Sequence, residues 1–259
     1  MPHLLCEETD GIATLTLNRP EVRNAVDDEI MSSLSGHTER LAGDERLRAV
    51  IVTGAGDEAF CAGGDLKWLQ TFETGEAGES MSRRMQGILD RLSNLPVPVI
   101  GVLNGYALGG GTEIALACDM RIMEEHAYLS FKQARVGLTT AWGGGGRLLR
   151  LVGFARAMEL LTTCRDVPGQ KAIAFGLANA VVPKGEGLAK GRQMAEEITK
   201  GAPHSIRSIK RLLREADGMP LAEAADLEAR LFREVWTSAD HDEAIQAFFE
   251  KREPRFRGK

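Results

Sequence analysis

The sequence predicts an α/β protein built on a mainly parallel sheet and ending in a helical C-terminal third. Residues 49–53 (AVIVT) and 98–103 (PVIGVL) are apolar almost throughout, which marks strands buried on both faces. A segment with helical spacing lies between them, and strand, crossover helix, strand is the order that a parallel sheet requires. Beyond the run Gly143, Gly144, Gly145, Gly146, nearly every periodic segment is helical.

At the N-terminus, LLCEE and IATLTL flank an Asp10-Gly11 pair, which reads as two short strands joined in a hairpin. Asn18, Arg19 and Pro20 stop the second strand, and Ile30, Leu34 and Leu41 recur at helical spacing across 27–41. After the buried strand at 49–53, the Gly- and acid-rich stretch 54–65 reads as a loop, and the Gly- and Glu-rich stretch 73–80 as a mobile one. A helix over 80–92, a strand over 98–103, a helix over 110–118 and short strands at 120–123 and 128–131 follow. Helices are then expected at 148–152, 155–161, 188–198, 206–213, 221–235 and 244–249. The last two present apolar faces (Leu227, Leu231, Val235; Ile245, Phe248, Phe249) that a small appendage cannot bury alone.

Composition narrows the function. The chain has 259 residues, with 32 Lys plus Arg against 37 Asp plus Glu and a net charge of −5, so a general nucleic-acid binder is not expected. A hydrophobic share of 43% excludes intrinsic disorder, and 29 glycines without a period of three exclude a collagen. The longest weakly polar stretch, 95–112, is interrupted by glycine, so no membrane span is expected, and the N-terminus lacks a signal-peptide core. A cytoplasmic protein is the resulting expectation. Cys6, Cys61, Cys118 and Cys164 contain no CxxC pair and read as packing residues, with no metal site expected.

No phosphate-binding GxxxxGK[ST], GxSxG elbow or HExxH is present. Gly54-Ala-Gly-Asp-Glu-Ala59 formally matches a dinucleotide fingerprint, but the FCAGGD that follows breaks the helix such a fingerprint must open. Two glycine loops carry more. AFCAGGDL (59–66) and NGYALGGGTE (104–113) each follow a buried strand and enter a helix, where unpaired N–H groups and the helix dipole favour negative charge. Two such turns from neighbouring strands can aim two donors at one oxyanion, as acyl chemistry requires. Glu113, three residues after Gly110, lies on the same helical face, or else simply complements the dipole.

FCAGGDL followed by NGYALGGGTEIALACDMRI resembles the enoyl-CoA hydratase/isomerase (crotonase) superfamily. LNRPEVRNAV, WGGGGRLLRLVG and EAIQAFFEKREPRF extend the resemblance over nearly the whole chain. It implies a spiral of repeated ββα units over 1–190 and a helical trimerisation region over 191–259. It also implies an acyl-CoA thioester substrate, no cofactor beyond the coenzyme A carried by that substrate, and a homotrimer or dimer of trimers. By motif position the oxyanion donors fall on Ala62 and Gly110, and Glu113 takes a catalytic or water-positioning role. Gly64, Asp65, Gly109 and Trp142 join the substrate-binding positions, although Asp65 also reads as a helix cap and Trp142 as a packing residue under the glycine loop. Arg23, Lys67 and Lys251 are the cations placed to meet the coenzyme A phosphates, Lys251 from the C-terminal helix or a neighbouring subunit.

The sequence departs from the family at the second acid. In the family's hydratases this glutamate lies four residues before a glycine in the segment that here reads AYLSFKQARVG, which puts Gln133 in its place. Gln can hold a water or a substrate oxygen but cannot exchange a proton. Two-acid hydration and isomerisation are both put in question. The Trp142-Gly143-Gly144 segment also resembles the ethylmalonyl-CoA decarboxylase branch, in which an enolate stabiliser matters more than a base. A third reading is a catalytically reduced CoA-binding protein.

Overall fold

The computed structural model describes residues 1–258. Strands β1 (Leu4–Thr9) and β2 (Ile12–Leu17) pair antiparallel. Asp10 and Gly11 between them both adopt positive φ, of 52° and 77°, the turn whose twist matches that of the flanking strands. Helix α1 (Asp28–Ala42) is capped by Asp27, whose side chain accepts from the Ile30 N–H at 2.9 Å. β2 then runs parallel to β3 (Ala49–Gly54), β3 to β5 (Val99–Leu103), β5 to β7 (Met120–Glu124) and β7 to β10 (Ala180–Val182).

A smaller sheet is ordered β4 (Ala59–Cys61), β6 (Tyr106–Leu108), β8 (Tyr128–Ser130), β9 (Asp166–Pro168). Consecutive strands β3 and β4, β5 and β6, β7 and β8 each place one member in either sheet. Helices then follow: α2 (Leu66–Leu69) and α3 (Gly75–Ser93) after β4, α4 (Gly110–Ala117) after β6. This is the expected spiral of ββα units, and it sets the two glycine loops side by side at the ends of β4 and β6.

Several elements differ from the sequence expectation. β4 and β6 lie in stretches read as loops, because three residues are too few to show a period. The stretch 73–80, expected to be mobile, instead starts α3: the Thr74 side chain accepts from the Ala77 N–H at 3.1 Å and caps a helix begun at Gly75. β9, β10 and the six-residue α7 (Gly169–Ala174) were not anticipated either, being short segments held by tertiary pairing. α5 (Gly144–Val152) and α6 (Phe154–Thr163) occupy the expected positions, with α5 opening inside the glycine run.

β3 and β5 are buried at every position because both faces of the large sheet are covered. The back face is closed by α8 (Gly187–Thr199), whose Ala195, Met194 and Ile198 meet Ala49, Ile51, Ile100, Val102 and Ile122. Residue 190 therefore lies inside a helix packed on the body. α9 (Pro203–Glu215) is pinned by Lys210, which donates to the Val97 carbonyl and pairs with Asp119, both at 2.7 Å. In α10 (Leu221–Trp236), Leu227 and Leu231 are buried, but in α11 (Ala239–Glu250), Phe248 and Phe249 stay 79% and 77% exposed. Among the described residues, no helix is long and apolar enough to cross a membrane.

Candidate active site

The loop after β4 is laid against residues 23–26 like an added strand. The Ala62 N–H donates to the Arg23 carbonyl at 3.0 Å, the Val26 N–H to Gly63 at 2.8 Å, and the Asp65 N–H back to Val26 at 2.8 Å. Ala62 was the expected oxyanion donor, and this contact corrects it, since its N–H already has a partner. The Gly64 N–H, between those of Ala62 and Asp65, has no partner among the described residues. Gly63, at φ +97°, makes the turn that frees it.

Gly110 opens α4, and its N–H has no partner within the helix, as for any residue in the first turn. The two loops touch: a Cβ on Gly63 would lie 3.2 Å from the Gly110 nitrogen. Two unpaired N–H groups, of Gly64 and Gly110, thus come from adjoining turns, with the α4 N-terminus contributing its positive end. The buried Trp142 ring backs this corner, and a Cβ on Gly110 would sit 2.1 Å from its Cζ3. Trp142 therefore packs under the glycine loop.

Glu113 is buried, at 2% exposure, on the first turn of α4. Its Oε1 accepts from Gln133 Nε2 at 3.1 Å and from the Ala141 N–H at 3.2 Å. Its Oε2 accepts from the N–H groups of Trp142 and Gly144, both at 2.7 Å. Burial pushes the Glu113 pKa above the ordinary glutamate value, against the pull of these donors. A Cβ on Gly144 would lie 2.4 Å from Glu113 Cγ, so the glycine run lets α5 begin directly against the carboxylate.

Gln133 stands in a 3-10 turn over Lys132–Val136 with its Oε1 buried and unpaired. The structure therefore brings Gln133 and Glu113 together, 20 residues apart in sequence. Asp65 caps α2 by accepting from the Lys67 N–H at 3.0 Å and pairs with Arg19 at 3.0 Å. Burial works against the Asp65 charge, but these partners together hold its carboxyl below the usual range.

The Arg23 side chain makes an exposed pair with Glu58, and its backbone carbonyl is what touches the loop. Gly109, at φ 49°, caps α4. Lys67 is exposed on α2, and Lys251 ends α11 in left-handed backbone at φ 55°. Neither lysine makes a side-chain ion pair among the described residues.

The backbone donors at 141, 142 and 144 escaped sequence reading, because a peptide N–H has no residue signature. Only the glycine run marked the place. All four cysteines are unpaired, and burial pushes the Cys61 and Cys118 thiols up to about 12, which removes both as thiolate nucleophiles. A cavity of about 810 Å³ between α5, α8 and α9, lined in part by Leu116, Arg121, Met194 and Leu213, includes neither Glu113 nor the glycine loops.

A family model described as enoyl-CoA hydratase/isomerase matches residues 7–259. The short-chain-enoyl-CoA hydratase of Clostridium acetobutylicum is 32% identical, over 96% of this chain and 95% of its own length. The mitochondrial methylglutaconyl-CoA hydratase of Mus musculus is 32% identical, over 97% of this chain and 81% of its own. The crystal structure of an enoyl-CoA hydratase from Bacillus anthracis superposes with a TM-score of 0.95 at 33% identity, covering 99% of this chain and 100% of that one.

Proposed function

Because the chain belongs to the enoyl-CoA hydratase/isomerase family, we propose that it binds an acyl-CoA thioester with the carbonyl oxygen between the N–H groups of Gly64 and Gly110, and turns it over through an enolate. The observation that carries this is the pair of unpartnered N–H groups on touching loops, beside a buried carboxylate. Donors already aimed at the developing oxyanion are worth more in a dry site than in water and need no reorganisation when charge develops.

For an enoyl substrate the reaction is addition of water, with hydroxyl to Cβ and hydrogen to Cα. Glu113 is the one proton-exchanging group of the pair. It takes a proton from the water as the oxygen attacks Cβ, the electron pair moves onto the thioester oxygen, and the proton then passes to Cα. All of its carboxylate positions already hold donors, and of these only Gln133 Nε2 belongs to a side chain able to swing aside for the water.

The same saturation favours a second reading. Loss of CO₂ from a malonyl-type thioester leaves its electron pair on the same enolate and needs no base.

Product analysis on crotonyl-, methylmalonyl- and ethylmalonyl-CoA separates the two. Glu113→Gln should lower hydration by about 10²–10⁴-fold, while decarboxylation would be largely indifferent to it. Binding of CoA thioesters without turnover of any would leave only a CoA-binding role. Hydration requires ionised Glu113, and burial raises its pKa. The rate should therefore fall on acidification from a pH above the usual glutamate range.

Arg23, Lys67 and Lys251 remain the proposed phosphate contacts, Lys251 reaching a neighbouring copy. The uncovered Phe248 and Phe249 on α11 support a contact with another subunit; the proposed form is a homotrimer or dimer of trimers, and the proposed location is the cytoplasm. Light scattering should give the mass of three or six chains, and removal of the chain from His241 onward should weaken both assembly and CoA binding. A stable monomer of the intact chain would overturn the assembly.

A further inference from the structure

One face of α3 grips the peptide that holds Glu113. Ser82 Oγ donates to the Ala141 carbonyl, and Gln86, one turn later, donates from Nε2 to the same carbonyl at 2.8 Å and to Ser82 Oγ at 3.2 Å. The Ala141 carbonyl and the Trp142 N–H belong to one peptide unit. In a trans peptide these groups point in opposite directions from a rigid plane. The side of the plane facing α3 is held by Ser82 and Gln86, and the opposite side places the Trp142 N–H 2.7 Å from Glu113 Oε2. We infer that Ser82 and Gln86 are positioning residues for the Glu113 carboxylate, acting through the 141–142 peptide. The inference rests on the proposed role of Glu113 as the proton-exchanging group.

Two physical effects support it. Donors on a peptide carbonyl polarise the plane and strengthen its N–H as a donor, by about 10–30% for each bond in a chain. They also stop the plane from rotating, which would turn the N–H off the carboxylate. Arg147 steadies the next residue, donating to the Trp142 carbonyl at 3.1 Å while pairing with Asp90 of α3 at 2.6 Å. The charged group facing Glu113 is Arg147 of α5, with Asp90 behind it, and Gln133 on the other side is neutral. Changes at 82 and 86 leave those charges in place.

The test titrates Glu113 itself. Difference infrared spectra of wild type against Glu113→Gln identify its carboxyl band, which is then followed with pH in Gln86→Met and Ser82→Ala. A weaker Trp142 N–H bond disfavours the ionised form, so the Glu113 titration should move upward by about half a unit to one unit, as expected for partial loss of a charge-assisted bond. The acid limb of kcat/KM should move with it, at unchanged affinity for CoA. Ser82→Thr keeps the hydroxyl and should titrate as wild type. If Gln86→Met proves too unstable to titrate, Ser82→Ala alone reads the effect. Titrations that coincide with wild type in Gln86→Met and Ser82→Ala would overturn the inference. Retained hydration in Glu113→Gln would instead sink the base role of Glu113, and the infrared titration would still decide the positioning.

Discussion

Gly110→Ala is expected to lower turnover by about 10²–10³-fold, the scale of losing one oxyanion donor, although alanine keeps its N–H. The added methyl would lie 2.1 Å from Trp142 Cζ3, and neither partner can yield freely. The ring is buried, and the helix start is fixed by Gly111, where a Cβ would fall 2.1 Å from the Cys61 carbonyl oxygen. Overpacking of this kind typically costs about 1–3 kcal/mol and is relieved by backbone movement. Here the movable backbone is the one that aims the donor. Trp142→Leu in the same chain removes the indole, including the ring atoms that meet the methyl, so the double variant should recover part of the loss, a non-additivity expected of groups in contact. Steady-state kinetics on the substrate identified by the product panel, with melting temperatures as a control, measure this. A Gly110→Ala enzyme with wild-type turnover would show that the methyl is accommodated without displacing the Gly110 donor, and the expected coupling to Trp142 would be wrong.

Gln133→Glu is expected to raise crotonyl-CoA hydration and to lower any decarboxylation. The substitution exchanges the donor 3.1 Å from Glu113 Oε1 for an acceptor, and two carboxyl groups that close cannot both ionise at neutral pH. One of the pair holds a proton, which supplies the acid that the wild-type site lacks, a contribution worth roughly 10²–10⁴ in general acid catalysis. For a malonyl-type substrate, the exchange removes the neutral Gln133 amide as a donor and shares the pair's single negative charge with position 133, so binding of the substrate carboxylate should weaken. Both rates are read on one preparation. Unchanged rates on both substrate types would place Gln133 outside the reaction centre despite its contact with Glu113.

The family, the α/β architecture and the two glycine loops were legible because each rests on short-range pattern. The residues 49–53 could only be a strand covered on both faces, and α8 covers the second of them. Gly110 and Glu113 share a helical face by spacing alone. Gln133 was legible as a departure, since a motif position is a local property. The strands β4 and β6 were not, because three residues gain their strand character only from the neighbours with which they pair.

The sequence by itself determined which segments bury, where the chain turns, and which residue types stand at the motif positions. The tertiary structure decided which of these groups are free to act. The FCAGGDL loop contains several peptide N–H groups that sequence cannot rank, and Arg23 and Val26, far away in the chain, pair those around Gly64 and leave the Gly64 N–H open. Glu113 reads from sequence as a lone acid in a first turn, yet Gln133 and the peptides at 141, 142 and 144 close on it from three later segments. The physical reason is common to both. Side-chain periodicity is set by the local backbone, whereas every backbone donor and acceptor is chemically alike, and its partner is chosen only when distant segments come together.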